Sequence, residues 1–219
     1  MSAAPLTVLP LFSVPFGIVA LPGADRLQES LLEACRSRRA ADGAPRANPL
    51  VHRTRDDLFE WPEEAPRRLA TEMLRAVVSV IDAVSQLEPD DRQALRIEAR
   101  GWMTVIEENG RVPAATFPLT AWAALYCVAA PPPSVRSDSG VLRLFESRLG
   151  TMFQDATNSV MRLPFSAGHY TWRPVPGSVV VFPASLTHEI TLVRAPGSLV
   201  LATARVRFVG PQQAGLGRW

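Results

Sequence analysis

The stretch PVPGSVVVFPASLTHEI, residues 174–190, gives the clearest indication of the fold. Its apolar run VVVF follows a turn rich in Pro and Gly, and a second short run follows the Ala-Ser-Leu turn. Short apolar runs bounded by turn residues are typical of strands in a sandwich or barrel. We therefore predict strands over 177–182 and 187–193, with His188 on the second of them.

Similar short segments extend on both sides of this pair. Residues 95–107, LRIEARGWMTVIE, alternate in polarity as a half-buried strand does. Further strands, separated by Pro, Gly and Ser clusters, are predicted at 119–129, 140–146, 167–173 and 197–209. The second half of the chain is therefore predicted to form an antiparallel sandwich or barrel.

The first half of the chain carries two helical patterns. Asp25 is placed to cap a helix over 26–41, and a second, amphipathic helix starts near Glu63. The apolar face of the second helix consists of Leu69, Met73, Val77, Val80, Ile81 and Val84. An extended segment is predicted over 5–20 and a loop over 42–54.

Together these patterns predict one α+β domain over residues 1–219. Its helical part covers about 24–88 and its strand-rich core about 95–209. No internal repeat or low-complexity tract interrupts the sequence.

Composition excludes several classes of function. The net charge of +2, with no basic stripe, argues against a nucleic-acid binder. All 23 basic residues are arginine, so lysine chemistry is excluded. Cys35 and Cys127 lack zinc or disulfide spacing, which fits a reducing cytoplasm. The apolar N-terminus is broken by prolines and has no positive flank, so we expect a cytoplasmic protein without an export signal or membrane span.

The order of these segments resembles a bacterial family of 2-oxoglutarate/iron(II)-dependent oxygenases nearly end to end. The resembling stretches are LFSVPFGIVAL (11–21), TRDDLFEWPEEAPRRLATEML (54–74), IEARGWMTVIEENG (97–110), TFPLTAWAALYCV (116–128), LRLFESR (142–148) and the stretch quoted above. Gly177, Phe182, Pro183 and His188 stand at the family's spacing. The resemblance implies a jelly-roll (double-stranded β-helix) core with two N-terminal helices packed on one sheet.

The resemblance also implies where iron would bind, and there the chain departs from the family. His188 takes the place of the third iron ligand, whereas Ala115 and Phe117 stand where the first two ligands belong. Leu199 stands where an Arg would bind the oxoacid. Neither a methyl nor a phenyl group coordinates iron. We therefore expect a degenerate member of the family that uses neither iron nor 2-oxoglutarate and holds no metal.

Other histidines of the chain are candidates to replace the missing iron ligands. The chain has three histidines, His52, His169 and His188. His52 is predicted to be a surface residue of a polar loop. His169 together with His188 and a carboxylate such as Glu146 would make an irregular iron site, which we consider less plausible than a packed or hydrogen-bonded histidine.

A substrate site is predicted inside the barrel. Alternation along the last strand puts Arg205 on one face with Leu199, Leu201, Thr203 and Arg207. The resemblance implies that this face points into the barrel, and that Arg148 lies near the same cavity. His169, Tyr126 and Trp102 lie on strands that line or flank this cavity. An inward arginine needs an anion or an acid. Either the arginines bind an anionic small molecule, or Arg205 forms an internal pair with an acid: Glu146, Glu107 or Glu189.

Three functions remain open from the sequence. The first is a metal-independent enzyme of bacterial specialised metabolism, in which His188 is the catalytic base or hydrogen-bond donor. The second is a non-catalytic subunit that stabilises a protein partner, or a homodimer. The third is an oxygenase with irregular ligands. An open, arginine-lined cavity would favour the first function, and a barrel filled by Phe117 would favour the second.

Overall fold

The computed structural model describes residues 13–42, 48–132, 138–146, 161, 163–166 and 168–210. Its helices are α1 (Ala24–Asp42), α2 (Glu64–Val84) and α3 (Pro89–Gln93), with a 3-10 turn at Leu58–Glu60. Its strands are β1 (Gly17–Ala20), β2 (Val51–Arg53), β3 (Arg96–Ile106), β4 (Val112–Ala115), β5 (Trp122–Ala129), β6 (Leu142–Phe145), β7 (His169–Trp172), β8 (Ser178–Pro183), β9 (Thr187–Ile190) and β10 (Leu199–Val209).

The strands form two antiparallel sheets. The six-stranded sheet has the order β1-β8-β5-β10-β3-β2, and the four-stranded sheet has the order β4-β9-β6-β7. Neighbours in each sheet come from distant parts of the chain, as in β10, which pairs with β3 on one side and β5 on the other. The prediction of a mixed α and β fold with antiparallel sheets is confirmed.

The six-stranded sheet is buried on both faces, and β10 shows how the sequence achieves this. Val200, Ala202 and Ala204 belong to the core shared with the helices, whereas Leu199 and Leu201 belong to the core between the two sheets. Successive side chains of a strand point to opposite faces, so one apolar strand supplies both cores. We call the face toward the four-stranded sheet the inner face.

Helix α2 covers the outer face of the six-stranded sheet. Leu69, Met73 and Val77 recur every four residues and are fully buried in the helix-side core. This spacing places them on one side of an α-helix, so the polar residues between them stay in water. Leu31 and Cys35 of α1 are buried in the same core.

Gly177 joins α1 to the six-stranded sheet. Its N–H donates to the carbonyl of Cys127 and its carbonyl accepts from Leu21, each at 2.9 Å. Its φ of +88° is a left-handed conformation, and a Cβ there would lie 2.7 Å from the Cβ of Ala24. Glycine is therefore required both by the backbone and by the close approach of the helix.

Three elements depart from the predictions. Strand β2 lies within the predicted loop, so His52 is a buried strand residue and not a surface residue. Strand β4 and the short helix α3 were not predicted. Asp25 lies inside the first turn of α1, where it favours the helix N-terminus electrostatically, instead of preceding the helix. Among the described residues, no helix is long and apolar enough to cross a membrane.

Candidate functional site

His188 lies at the inner face of the four-stranded sheet. It pairs with Ala115 of β4 on one side and with Leu144 of β6 on the other. Only 7% of the residue is exposed, and its Nδ1 lies 2.9 Å from the carbonyl oxygen of Leu186. A proton on Nδ1 would be donated to that carbonyl, which would leave Nε2 as the acceptor.

Two phenyl rings contact the imidazole of His188. The Phe117 ring centroid lies 4.6 Å away at an interplanar angle of 65°, and that of Phe182 lies 5.2 Å away at the same angle. The N–H of Phe117 donates to the carbonyl of Ala184 at 3.0 Å, which fixes the chain at this point. Phe117 also meets Trp102 edge to face at 5.4 Å. His188 is therefore part of a row of aromatic contacts between the sheets.

Burial among these rings lowers the pKa of His188, although the hydrogen bond to Leu186 opposes the shift. An apolar environment disfavours the charged imidazolium, because the rings cannot replace the water that would solvate it. The imidazole is therefore neutral at pH 7 in the folded protein.

The lowered pKa of His188 predicts a loss of stability in mild acid. The unfolded chain takes up this proton below about pH 6.5, whereas the folded chain resists it, so stability is full above that pH and falls as pH drops toward the folded pKa. One proton contributes a slope of at most about 1.4 kcal/mol per pH unit. Urea unfolding between pH 5 and 8 should show this slope reduced in His188→Gln and kept in Thr191→Val, a substitution without a titratable group that serves as the second of the two variants. Equal slopes in the two variants would contradict the assignment.

The residues around His188 do not fit an iron(II) ion. Ala115, directly opposite His188, and Phe117, packed on its ring, occupy the two positions implied for the other ligands. Neither offers a donor atom. Within the part of the chain that the structure describes, no three His, Cys, Asp or Glu residues are grouped so that they could hold a metal.

His169 and His188 lie on opposite faces of the four-stranded sheet. His188 and Tyr170 both pair with Leu144, whereas His169 pairs with Phe145, the next residue along β6. Directly paired residues share a face and adjacent residues alternate. The two imidazoles therefore do not converge on one point, and the irregular iron site has no geometric basis in these two histidines.

Arg205 is held at the inner face by an acid and a ring. Its Nη2 lies 2.8 Å from one oxygen of Asp56, and the other oxygen of Asp56 binds Arg53. Both guanidinium groups also lie over the Trp102 ring, with Cζ at 5.4 Å for Arg205 and 4.2 Å for Arg53. We call these four residues, Arg53, Asp56, Trp102 and Arg205, the arginine cluster.

The arginine cluster and its surroundings carry more positive than negative charge. Burial lowers the pKa of Arg53, Asp56 opposes that shift, and the nearby charge of Arg205 adds to it. Arg100 lies directly opposite Arg205 in the ladder between β3 and β10. Farther along the same face, Glu98 pairs with Arg207 and with Arg96, each at 2.5 Å. Five arginines thus share this end of the inner face with two acids.

Two of the acids considered as partners of Arg205 bind other arginines. Glu107 binds Arg39 of α1 at 2.6 Å, so it belongs to the helix side. Glu189 binds Arg143 at 2.8 Å on the outer face of the four-stranded sheet. Asp56 pairs with Arg205 instead. It follows β2 closely in sequence, and β2 lies beside β3, which in turn pairs with the strand that carries Arg205.

Of the other predicted site residues, one lies at the inner face and one does not. Tyr126 does not line the barrel: it is fully buried in the helix-side core, where burial raises its pKa to about 12. Trp102 does lie at the inner face, within the arginine cluster. Arg148 lies outside the described residues. Leu199, which the family resemblance aligns with an oxoacid-binding arginine, is buried between the sheets.

Comparison with solved structures identifies the fold. A prolyl-4-hydroxylase of Pseudomonas putida gives a TM-score of 0.58 at 16% identity, over 88% of this chain and 91% of that chain. HygX of Streptomyces hygroscopicus, with nickel and 2-oxoglutarate bound, gives 0.58 at 15% identity, over 93% and 91%. The chain has the fold of the 2-oxoglutarate/iron(II) oxygenases. SnoN, a non-heme α-ketoglutarate-dependent epimerase from nogalamycin biosynthesis, shares this oxygenase fold with a TM-score of 0.55 at 15% identity, over 93% and 85%.

At these identities the likeness is one of fold, so the activity of this chain has to be argued from its own residues. No protein-family model matches the sequence, and no curated protein sequence matches it either. Within the oxygenase fold, the residues that the sequence did not identify are Arg53 and Asp56. Arg53 lies in the predicted loop over 42–54, and Asp56 lies in the stretch 54–74 that leads into the second helix. No local pattern distinguished either of them as a site residue.

Proposed function

We propose that this protein binds an anionic small molecule at the arginine-lined end of an oxygenase-type barrel, without iron(II) or 2-oxoglutarate at the His188 position. The donor set supports the second part. Ala115 and Phe117 flank His188 where iron ligands would be needed, and Leu199 is buried where the oxoacid would need a cation. Iron and 2-oxoglutarate are therefore replaced, in this proposal, by recognition through guanidinium groups.

The observation that carries the proposal is the shared use of one carboxylate by two arginines. Asp56 gives one oxygen to Arg53 and the other to Arg205, so a single carboxylate faces two guanidinium groups and balances only one of their two positive charges. Arg100 adds a third positive charge beside them. A carboxylate, sulfate or phosphate accepts two parallel hydrogen bonds from such groups.

We propose a metal-independent enzyme of bacterial specialised metabolism as the biological role, with the arginine cluster as the substrate anchor. The neutral imidazole of His188 would accept a proton from the bound molecule through Nε2. Ala115, the residue opposite it, is exposed, which supports access from that side. SnoN, a biosynthetic epimerase of the same fold, is a precedent at the level of fold alone. The helices on the six-stranded sheet serve in this proposal as the support of the barrel.

A second candidate, the non-catalytic partner subunit, is favoured by the packing of His188 between Phe117 and Phe182. A histidine held between two rings is poorly placed to meet a substrate. Purification of the chain alone and together with the products of neighbouring genes distinguishes the two roles. A stable single chain that binds anions supports the enzyme, whereas a chain that stays folded only in a complex supports the subunit.

The anion site is tested by calorimetric titration with sulfate, phosphate and 2-oxoglutarate. We expect binding by the unchanged protein and a loss of about tenfold in affinity in Arg205→Gln, the size of one charge-assisted hydrogen bond. Arg143→Gln is the matched control, since Arg143 forms a similar partly buried pair on the opposite side of the other sheet. Equal affinities in the two variants would refute the arginine site.

Metal analysis of the purified protein tests the other half of the proposal. Protein from iron-supplemented cells should carry far less than one iron per chain. Stoichiometric iron, retained after gel filtration and lost in His188→Ala, would overturn it.

A further inference from the structure

The side chain of Phe117 lies between the arginine cluster and His188. Its ring meets the Trp102 ring edge to face at 5.4 Å between centroids, and it meets the His188 imidazole at 4.6 Å. The guanidinium groups of Arg53 and Arg205 lie over the same Trp102 ring. A ligand that is held by these arginines and extends along the row of rings to His188 therefore reaches the place that the Phe117 ring now occupies.

Phe117 differs from its two ring partners in how it is held. Trp102 and His188 belong to strands β3 and β9 and are 5% and 7% exposed. Phe117 lies in the loop after β4 and is half-buried. Its N–H donates to the carbonyl of Ala184, so the ring can change rotamer while the backbone keeps its hydrogen bond. Displacing this ring therefore costs less packing than displacing either of its partners.

The loop beyond Phe117 offers little resistance to such a change. Leu119 is 81% exposed and has a φ of +59°, a left-handed conformation that is unfavourable for a residue with a Cβ. An exposed leucine adds little packing to hold the loop against the barrel. The Phe117 ring is therefore the part of this loop that fills the space between Trp102 and His188.

We propose that Phe117 is a displaceable side chain that determines which anions the arginine cluster accepts. In the bound state an aromatic ring of the ligand takes the place of the phenyl group between Trp102 and His188, while the acidic group of the ligand binds the arginines. The ligand class is an aromatic carboxylate, sulfonate or phosphate. This inference rests on the anion site proposed above and adds to it the organic part of the bound molecule.

The groups around the phenyl ring favour an aromatic body over other kinds. Aromatic pairs prefer edge-to-face arrangements, and the Phe117 ring makes such contacts with both Trp102 and His188. A ligand ring in the same place keeps both contacts. A body rich in hydroxyl groups would lose its hydrogen bonds to water against these rings and that of Phe182. Displacement of Phe117 also opens the His188 imidazole to the ligand, which its packing between two phenyl rings otherwise prevents.

Calorimetric titration with methanesulfonate and benzenesulfonate separates the acidic group from the ring. In the unchanged protein the Phe117 ring competes with the ring of benzenesulfonate, whereas in Phe117→Ala the space is open. We expect Phe117→Ala to bind benzenesulfonate at least about tenfold more tightly than the unchanged protein does, the gain for burying a phenyl ring. Affinity for methanesulfonate, which has no ring, should change by less than about twofold. Phe145→Ala, at a half-buried phenylalanine on the outer face of the four-stranded sheet, is the matched control and should behave like the unchanged protein.

The two sulfonates also distinguish failure of this inference from failure of the anion site. If methanesulfonate binds and Phe117→Ala gains nothing for benzenesulfonate, the aromatic class is wrong and the anion site stands. If neither sulfonate binds any of the three proteins, the anion site is wrong and this inference falls with it. Adding Arg205→Gln to Phe117→Ala should weaken binding of both sulfonates by about tenfold. A benzenesulfonate affinity that does not depend on Arg205 would overturn the placement of the ring.

The imidazole signals of His188 in nuclear magnetic resonance spectra report the displacement in the unchanged protein. The chain has three histidines, so His188→Gln identifies the signals of His188 by their loss. We expect saturating benzenesulfonate to shift these signals, because a different ring then lies against the imidazole, and methanesulfonate to leave them in place. The signals of His169, on the other face of its sheet, should respond to neither. Equal responses of His188 to the two sulfonates would contradict the displacement of Phe117.

Discussion

A variant carrying both Ala115→His and Phe117→Asp is expected to bind one nickel(II) or iron(II) ion at least about a thousandfold more tightly than the unchanged chain, equivalent to about 4 kcal/mol. Residue 115 pairs directly with His188, and residue 117 lies two positions farther along, with its ring already on the imidazole. Side chains two residues apart in an extended segment share a face. An imidazole and a carboxylate at these positions would therefore meet His188 at one point.

The control for this variant moves the same two residues by one position. Ala114→His with Thr116→Asp places both donors on the other face of β4, so metal affinity should stay at the level of the unchanged chain. Adding His188→Ala to the first variant should abolish the gained affinity. Titration with nickel(II) measures all three proteins, and circular dichroism shows whether each is folded. If the shifted variant binds as tightly as the first, the register of β4 with β9 is wrong.

Replacing Asp56 by alanine is expected to cost about 2 kcal/mol of unfolding free energy, and added sulfate should restore most of it. The carboxylate separates Arg53 from Arg205, and it is 26% exposed beside an Arg205 side chain that is 19% exposed. Removing one partner of a buried pair costs about 3–5 kcal/mol, and partial exposure reduces that figure. Without Asp56 no carboxylate stands between the two guanidinium groups, so they repel each other, and an added anion is expected to take the place of the carboxylate.

Urea unfolding in chloride and in sulfate of equal ionic strength measures both effects. Asp82→Ala is the control, since the pair between Asp82 and Arg92 lies at the surface with both side chains about two-fifths exposed. Its loss should stay below about 1 kcal/mol and should not respond specifically to sulfate. Similar losses in the two variants, without rescue by sulfate, would show that the arginine cluster does not hold an anion.

The elements with a clear period could be predicted from the sequence, and the short edge strands could not. Helix α2 carries apolar residues at every fourth position from Leu69 to Ile81. It begins at Glu64, one residue after its predicted start. Strands β3 and β10 have eleven residues each, which is long enough to be recognised as strands between turn-rich segments. By contrast, β2 has three residues and β4 has four, one of which is Pro113. Neither strand is therefore long enough to show a period. Their pairing partners lie far along the chain and decide their conformation.

Parts of the candidate site were beyond the reach of local sequence patterns for two different reasons. Arg205 was expected to need an acid, but Asp56 lies 149 residues away, and no local pattern relates the two. Tyr126 was assigned to the barrel because β5, WAALYCVA, is apolar at nearly every position. A strand buried on both faces does not reveal which of its residues turn inward. Ala115 and Phe117 do adjoin His188, but their correspondence to metal-ligand positions stays a prediction that rests on the family resemblance.

The two-sided burial of β10 has a consequence for how such a protein can evolve. Its helix-side residues, Val200, Ala202 and Ala204, pack against the helices, whereas Arg205 and Arg207 on the other side form ion pairs with Asp56 and Glu98. Mutations that rewrite the inner face leave the helix-side packing intact. Substitutions on the inner face can therefore change what the barrel accommodates while the helix-side layer keeps the stability of the scaffold.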